Sequence, residues 1–221
     1  MRINPGTFDF LKKLAANNNR EWFQANKAEH DTARQNIIDF AGELIKKVHL
    51  ADPQVDADLD PKKCVMRIYR DIRFRIDKTP YKTNFGISIP TIGSKSGGVE
   101  YYFQIQPGKS FIAGGYWMPE TDHLKKIRQE IDYNAAELKK IIDDAEFKKL
   151  FGNFREQEQL KTAPREYSPE NENIDLLKLK SFIVWHQLKD KDLMKTDTVE
   201  QIVSVCSKIY PLNVFLRNAM A

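Results

Sequence analysis

Between residues 83 and 118 the chain carries three consecutive segments in which apolar and polar side chains alternate. These segments are "TNFGISIPTI", "VEYYFQIQP" and "SFIAGGYWM", and a period of two is typical of strands that bury one face. The runs "GSKSGG" and "PGKS" between them are rich in turn-forming residues. Such short connections favour an antiparallel meander, and this restricts the fold more than any other feature of the sequence.

A further alternating segment precedes these three and predicts a half-buried strand over residues 63–77. One face would carry Met66, Ile68, Ile72, Phe74 and Ile76, and the other face Arg67, Tyr69, Asp71, Arg73, Arg75 and Asp77. Arg70 would fall on the apolar face. "FIVWHQL" is a short strand candidate near the end of the chain.

Helical patterns flank the alternating region on both sides. Before it are "FDFLKKLAANN", which Thr7 would cap, and a long helix that begins after Asn18 or Asn19. After it are "PETDHLKKIRQEID", "NAAELKKIIDDAEFKKLF" and a terminal helix that contains Pro211. Helices, then consecutive strands, then helices favour an α+β fold over alternating βαβ units.

We therefore predict a mainly antiparallel central sheet of about four to six strands, with N-terminal and C-terminal helices packed on it. The length of 221 residues fits a single domain over 1–221. Its N-terminal helices would lie in residues 1–50, its sheet in 63–118 and its C-terminal helical region in 119–221.

The composition favours a folded protein of the cytoplasm. Apolar residues make up 41% of the chain and charged residues 30%, a balance typical of globular proteins. Cys64 and Cys206 match no paired motif and are expected to be reduced thiols. The first residues lack the apolar core of a secretory signal, and no segment approaches the roughly 20 apolar residues of a membrane span. We expect a cytoplasmic location and no membrane partner.

The positive charge is concentrated in one short segment. Residues 62–82 hold eight Lys and Arg against two Asp, a local charge of +6, whereas the whole chain carries +4 and the remainder therefore −2. Arginine suits carboxylate and phosphate groups, and Pro80 stiffens "DKTPYK". The segment predicts a site for a phosphate- or carboxylate-bearing ligand. The ligand-binding candidates are Arg67, Arg70, Arg73, Lys78, Tyr81 and Lys82, and the candidates for orienting them or for acid–base catalysis are Asp71 and Asp77.

Two other interpretations of this segment stay open. A nucleic-acid partner would place its phosphates on the cations and stack its bases on Tyr69, Tyr102 or Trp117. A purely structural network would instead pair the arginines with the two aspartates inside the fold. None of these observations establishes an enzymatic activity.

Metal and cofactor chemistry has little support. The four His lack the spacing of a zinc site, and the chain has no P-loop, no dinucleotide-binding glycine motif and no nucleophile elbow. Mg²⁺ between Asp71, Asp77 and Glu100 is the alternative that carboxylates beside arginines suggest. Adjacent cations outnumber these acids, so ion pairing is the more frequent outcome. We predict no resident metal or cofactor.

Several blocks of the sequence resemble one known family. They are "NNREWFQANKAEHD", "MRIYRDIRFRIDKTPYKTNFG", "YYFQIQPGKSFIAGGYWMP" and "KTAPREYSP". Together they are similar, over almost the whole chain and in the same order, to a widespread family of bacterial and fungal proteins catalogued as a domain of unknown function, family twenty-four sixty-one. The resemblance implies a shared fold and a shared site around the central block, and it implies no activity. The late block departs from the family pattern at "PREY".

Overall fold

The computed structural model describes residues 1–92, 98–154 and 158–221. Within these ranges the helices are α1 (Pro5–Ala16), α2 (Arg20–Ala25), α3 (Lys27–Ala51), α4 (Pro61–Cys64), α5 (Thr121–Ile142), α6 (Ala145–Phe151), α7 (Ile174–Leu177), α8 (Asp190–Leu193) and α9 (Thr198–Asn218). The strands are β1 (Phe85–Pro90), β2 (Glu100–Ile105), β3 (Ser110–Tyr116) and β4 (Phe182–Leu188). None of these helices combines the length and the apolar composition that crossing a membrane requires.

The four strands form one antiparallel sheet in the order β1-β2-β3-β4, so that strands consecutive in sequence are neighbours. The predicted meander and the predicted α+β fold, with helices at both ends of the chain, are confirmed. Strand β2 has the expected alternation, because Tyr101, Phe103 and Ile105 are buried while the residues between them are partly exposed. The predicted turn "GSKSGG" lies, except for Gly98, outside the described residues.

The chain divides into two compact units. The first unit comprises residues 1–89, 102–112 and 187–204, and the second comprises residues 90–101, 113–186 and 205–221. In the first unit α1 packs against α3, and the ring of Phe10 lies with its centroid 6.4 Å from that of Phe85 in β1. The core side of α3 is formed by Ile37, Phe40, Leu44, Ile45 and Val48, which recur at helical spacing.

Two N-terminal helix starts were predicted, with different outcomes. Helix α1 begins at Pro5 and not after Thr7, because proline is favourable in a first turn, where its missing N–H needs no partner. The Thr7 hydroxyl instead donates to Oδ1 of Asn36 at 2.9 Å. Asn19 does cap α2, since its side chain accepts from the N–H of Trp22 at 2.9 Å. The long helix is interrupted at Asn26, where α2 ends and α3 begins.

In the second unit, two glycines of β3 permit close packing. A Cβ atom on Gly114 would lie 2.5 Å from Cγ2 of Ile209 in α9. Gly115 has a φ of +120°, and a Cβ atom there would collide with the carbonyl oxygen of Phe182 in β4. The backbone therefore approaches a helix and a neighbouring strand at these positions.

The predicted strand over residues 63–77 is wrong. In this segment only two isolated antiparallel bridges form, Val65 with Ile87 and Tyr69 with Tyr81. Phe74 and Ile76, assigned to a buried face, are 95% and 102% exposed. Alternation alone cannot bury a face when no neighbouring strand pairs with the segment, and local side-chain hydrogen bonds to the backbone compete with such pairing.

Candidate functional site

The predicted site residues lie on an excursion of the first unit that is closed by Tyr69 and Tyr81. The N–H of Arg70 donates to the carbonyl of Pro80 at 2.9 Å, and the N–H of Lys82 donates to the carbonyl of Ile68 at 2.7 Å. These bonds form a short antiparallel ribbon. We call residues 70–80 beyond it the basic loop.

The base of the loop is anchored to the N-terminal helices through Tyr81. The side-chain amide of Asn18 donates to the Tyr81 carbonyl at 2.9 Å, and its oxygen accepts from the Tyr81 N–H at 3.1 Å. The Tyr81 ring stacks on Phe23 of α2 with centroids 4.0 Å apart. This ring is only 3% exposed, and burial raises the pKa of the phenol. The position of Tyr81 is suited to anchoring the loop.

Inside the loop, Asp77 organises Arg70 and Thr79. One oxygen of Asp77 accepts from the N–H of Thr79 at 2.9 Å and from its hydroxyl at 2.8 Å, and the other accepts from Arg70 at 2.7 Å. The Arg70 guanidinium also donates to the Thr79 carbonyl at 3.2 Å and to the Thr79 hydroxyl. The pKa of Asp77 falls from 3.8 to about 2, first because of the Thr79 N–H and next because of Arg70.

Asp71 forms a second pair with Arg73. The guanidinium donates to the two carboxylate oxygens at 3.0 Å and 2.7 Å, and the Arg73 N–H donates to the same side chain at 3.2 Å. The hydrogen bond from the Arg73 side chain is the main reason why the pKa of Asp71 is lowered. Both aspartates are therefore ionised at neutral pH, and an arginine-bound carboxylate of low pKa is a weak proton acceptor. This geometry suits the orienting role better than the acid–base role.

The other cations of the segment have no carboxylate partner among the described residues. Lys78 donates instead to the loop carbonyls of Ile72 at 3.0 Å and Arg73 at 3.5 Å. Arg67 and Lys82 lie at the ribbon, where the pKa of Lys82 is lowered by burial and then by the nearby charge of Arg67. The cations of the segment that form no ion pair with a carboxylate of the described residues are Lys62, Lys63, Arg67, Arg75, Lys78 and Lys82. The charges of Arg67 and Arg75 nevertheless help to lower the pKa of Asp71.

A shallow open cleft of about 760 Å³ lies beside the loop. It is lined by Asn18, Asn19, Arg20, Glu21, Ile72, Asp77, Lys78, Thr79 and Pro80. Sequence reasoning did not assign Arg20 to the site, because it is far from the basic segment along the chain. The sequence feature that could have indicated Arg20 is the cap at Asn19, because it fixes the first turn of α2, where Arg20 lies.

The alternative interpretations involve other side chains. Among the described residues, no group of three or more His, Cys, Asp or Glu is arranged to hold a metal ion. Glu100 belongs to the second unit, and both Asp71 and Asp77 are engaged by arginines. Of the proposed stacking residues, Tyr69 is half exposed and leans on Phe23 and Tyr81, whereas Trp117 is largely exposed in the second unit.

Comparison with known proteins identifies the family. No curated protein and no solved structure matches the chain. The family model described as "Conserved hypothetical protein (DUF2461)" matches residues 6–215, which include both strands of the ribbon and the whole basic loop. The chain therefore belongs to the DUF2461 family of conserved hypothetical proteins.

Proposed function

We propose that the first unit binds a phosphate- or carboxylate-bearing ligand at the ribbon and the basic loop. The observation that carries this proposal is the pairing inside the loop. Asp71 and Asp77 each engage one arginine, so that Arg67, Lys78 and Lys82 lack a carboxylate partner among the described residues. An anion would supply the missing counter-charge.

Arg67 and Lys82 are the strongest candidates for direct contact with the ligand. Arg67 directly precedes Ile68, whose carbonyl accepts from the Lys82 N–H at 2.7 Å. Burial, and after it the charge of Arg67, lowers the pKa of Lys82. Two cations held together repel each other, and a bound anion relieves that repulsion while accepting charge-assisted hydrogen bonds. Lys78 faces the cleft and retains donors beyond the two loop carbonyls. Arg70 and Arg73, paired with their aspartates, would then mainly hold the loop in position. Their direct contacts with the ligand would be of secondary importance.

The test is isothermal titration calorimetry of the protein with simple probes, and it measures the affinity for each. The probes are inorganic phosphate, pyrophosphate, citrate and a mixture of nucleotides. Arg67→Gln combined with Lys82→Gln removes two charges at the ribbon. The matched control is Lys125→Gln combined with Lys149→Gln, which removes two exposed charges from the second unit. We expect about tenfold weaker binding or more in the ribbon variant, from charge-assisted hydrogen bonds of ~1.5–3 kcal/mol each. The control should change binding less than about twofold.

Two outcomes would contradict the proposal. Equal weakening in both double variants would indicate attraction by net charge without a site. Failure of every phosphate and carboxylate probe to bind the wild type would remove the site altogether. In that case the hydrogen bonds among Arg70, Asp77 and Thr79 support the structural alternative, in which the network serves only to shape the loop.

Nucleic acid is the second candidate, and the half-exposed Tyr69 ring between Arg67 and the loop is the observation that favours it. A polyanion that contacts several cations loses affinity steeply with salt. Titration of a short single-stranded oligonucleotide at increasing salt, with Tyr69→Ala as the variant, distinguishes this from a small-anion site. A flat salt response with an unaffected Tyr69→Ala variant would exclude it.

A further inference from the structure

The basic loop presents the two most exposed large apolar side chains among the described residues. Phe74 is 95% exposed and Ile76 is 102% exposed, whereas the preceding apolar residue of the loop, Ile72, is partly covered. Single exposed apolar residues are common on protein surfaces. Here two of them stand two positions apart at the tip of one loop, and they contribute nothing to the core.

The loop has internal hydrogen bonds that hold this tip in shape. Its polar side chains turn back onto its own backbone: Asp71 accepts from the Arg73 N–H, Asp77 accepts from the Thr79 N–H, and Lys78 donates to the Ile72 carbonyl. The N–H of Arg75 also faces the Ile72 carbonyl at 3.4 Å. Side chains of the loop therefore hold its backbone in place, although Asp71, Arg73 and Asp77 themselves stay exposed to solvent. Exposed charges are enough to keep a loop soluble, so the two fully exposed apolar side chains beside them call for another explanation.

Cations lie next to both apolar side chains. The Arg73 guanidinium carbon is 5.9 Å from the centroid of the Phe74 ring, and Arg75 stands between Phe74 and Ile76 in sequence without a carboxylate partner among the described residues. Apolar tips flanked by arginines complement the interface of an anionic bilayer, where phosphate groups lie directly above acyl chains. Long arginine side chains keep their charge at the headgroups while the neighbouring apolar groups insert.

A bilayer surface fits these observations better than a nucleic acid. Ile76 has no ring to stack on a base, and even a single DNA-binding module buries about 600–1,000 Å². The whole chain carries a charge of +4, and the residues outside 62–82 together carry −2. A nucleic acid that covers a large area would therefore also face this negatively charged part of the protein. Contact through one loop avoids it. The expectation of no membrane partner rested on the lack of a spanning segment, and surface docking requires none.

We propose that the basic loop docks on anionic phospholipid bilayers, with Phe74 and Ile76 inserted among the headgroups. Arg75, and the guanidinium donors of Arg73 that Asp71 does not engage, would contact the lipid phosphates. The inference goes beyond the proposed anion site and depends on two side chains that this site does not use. The two proposals can therefore fail separately.

The experiment is co-sedimentation of the full chain with phosphatidylcholine vesicles, with and without phosphatidylserine. The wild type should partition onto the anionic vesicles about tenfold more strongly than onto the neutral ones, because each basic residue near the surface adds to the attraction. Phe74→Ser combined with Ile76→Ser should lower partitioning about tenfold or more. The control, Leu50→Ser combined with Tyr133→Ser, removes two other well-exposed apolar side chains and should change it less than about twofold.

Two further measurements remove ambiguity. The melting temperature of the Phe74/Ile76 double variant should equal that of the wild type, since both side chains lie outside the core. The chain has three tryptophans of its own, so the emission of Phe74→Trp is compared with that of the wild type on the same vesicles. The added emission should shift to shorter wavelength on anionic vesicles if the tip enters the membrane interface. Equal losses in the double variant and the control, or unchanged emission, would overturn the proposal.

The outcome also separates this inference from the proposed function. Vesicle binding that depends on Phe74 and Ile76, without binding of soluble phosphates or carboxylates, would leave docking valid and the anion site wrong. Soluble anion binding that depends on Arg67 and Lys82, without vesicle binding, would leave the anion site valid and docking wrong. Tip-dependent binding of oligonucleotides in place of vesicles would overturn docking in favour of a nucleic-acid partner.

Discussion

Asn18 and Tyr81 are 63 residues apart in the sequence, and the side-chain amide of Asn18 pairs with both main-chain polar groups of Tyr81. The amide thus acts like one residue of an adjacent strand. It connects the turn between α1 and α2 to the base of the basic loop. The stacking of Tyr81 on Phe23 reinforces the same connection.

Replacing Asn18 should therefore loosen the base of the loop. Asn18→Ala leaves the N–H and carbonyl of a buried residue without partners, and we expect a loss of about 1–3 kcal/mol in the free energy of unfolding. Urea denaturation measures it. Asn17→Ala is the control, because the Asn17 side chain makes one exposed hydrogen bond, and it should change stability by about 0.5 kcal/mol or less. Equal effects of the two substitutions would show that the Asn18 clamp contributes nothing specific.

The two arginine–aspartate pairs should differ in their effect on stability. The Arg70 side chain is only 21% exposed and donates to the Thr79 carbonyl and hydroxyl as well as to a carboxylate. Loss of these bonds in Arg70→Ala should lower the free energy of unfolding by about 1–3 kcal/mol.

Arg73 pairs in the open, so Arg73→Ala should have a smaller effect, since solvent screens exposed ion pairs. Thermal melts of both variants in low and high salt make the comparison. A larger loss in Arg73→Ala than in Arg70→Ala would contradict this ranking.

His30 should make the first unit less stable in mild acid. Its ring packs among Phe10, Phe23 and Phe85, and burial lowers its pKa from 6.5, although the neighbouring Asp31 acts in the opposite direction. The folded state thus binds this proton less readily than the unfolded chain. Its contribution to stability is complete above pH 6.5 and decreases as the pH falls below 6.5 toward the lower folded pKa.

Melting temperatures measured from neutral to mildly acidic pH test this prediction. The wild type should lose stability as the pH falls through this range, and His30→Phe, which keeps an aromatic ring but cannot be protonated, should have a flatter profile. Parallel profiles for the two proteins would rule out His30 as the cause.

Gly114→Ala should destabilise the second unit by overpacking. The new methyl group would lie 2.5 Å from Cγ2 of Ile209, and strain of this kind costs about 1–3 kcal/mol. In an Ile209→Ala background the space is open, so the same substitution should then cost much less. A double-mutant cycle measured by chemical denaturation gives this coupling, and strictly additive effects would contradict the packing explanation.

The regular elements could be predicted well from sequence because their signals are local. Each of the four strands coincides with an alternating or apolar run of the sequence. Turn residues such as Gly108 separate β2 from β3. The sequence indicates a cap at Asn18 or Asn19, and the structure assigns it to Asn19, whose side chain accepts from a backbone N–H three residues later. The predicted start of helix α1 is three residues too late because the hydroxyl of Thr7 is engaged by Asn36, a long-range partner that no local pattern reveals.

The candidate site shows what the sequence determined and what only the tertiary structure decided. The sequence by itself determined that the cations concentrate between residues 62 and 82, that Pro80 stiffens the turn, and that the fold is α+β. The tertiary structure decided that this segment is a loop, that Asp77 is engaged by Arg70 and Asp71 by Arg73, and that Phe74 and Ile76 face outward. The physical reason is that alternation specifies a strand only when a neighbouring strand supplies hydrogen bonds and a core face. Here β1 contributes one isolated bridge, at Ile87, and side chains of the loop satisfy its backbone instead.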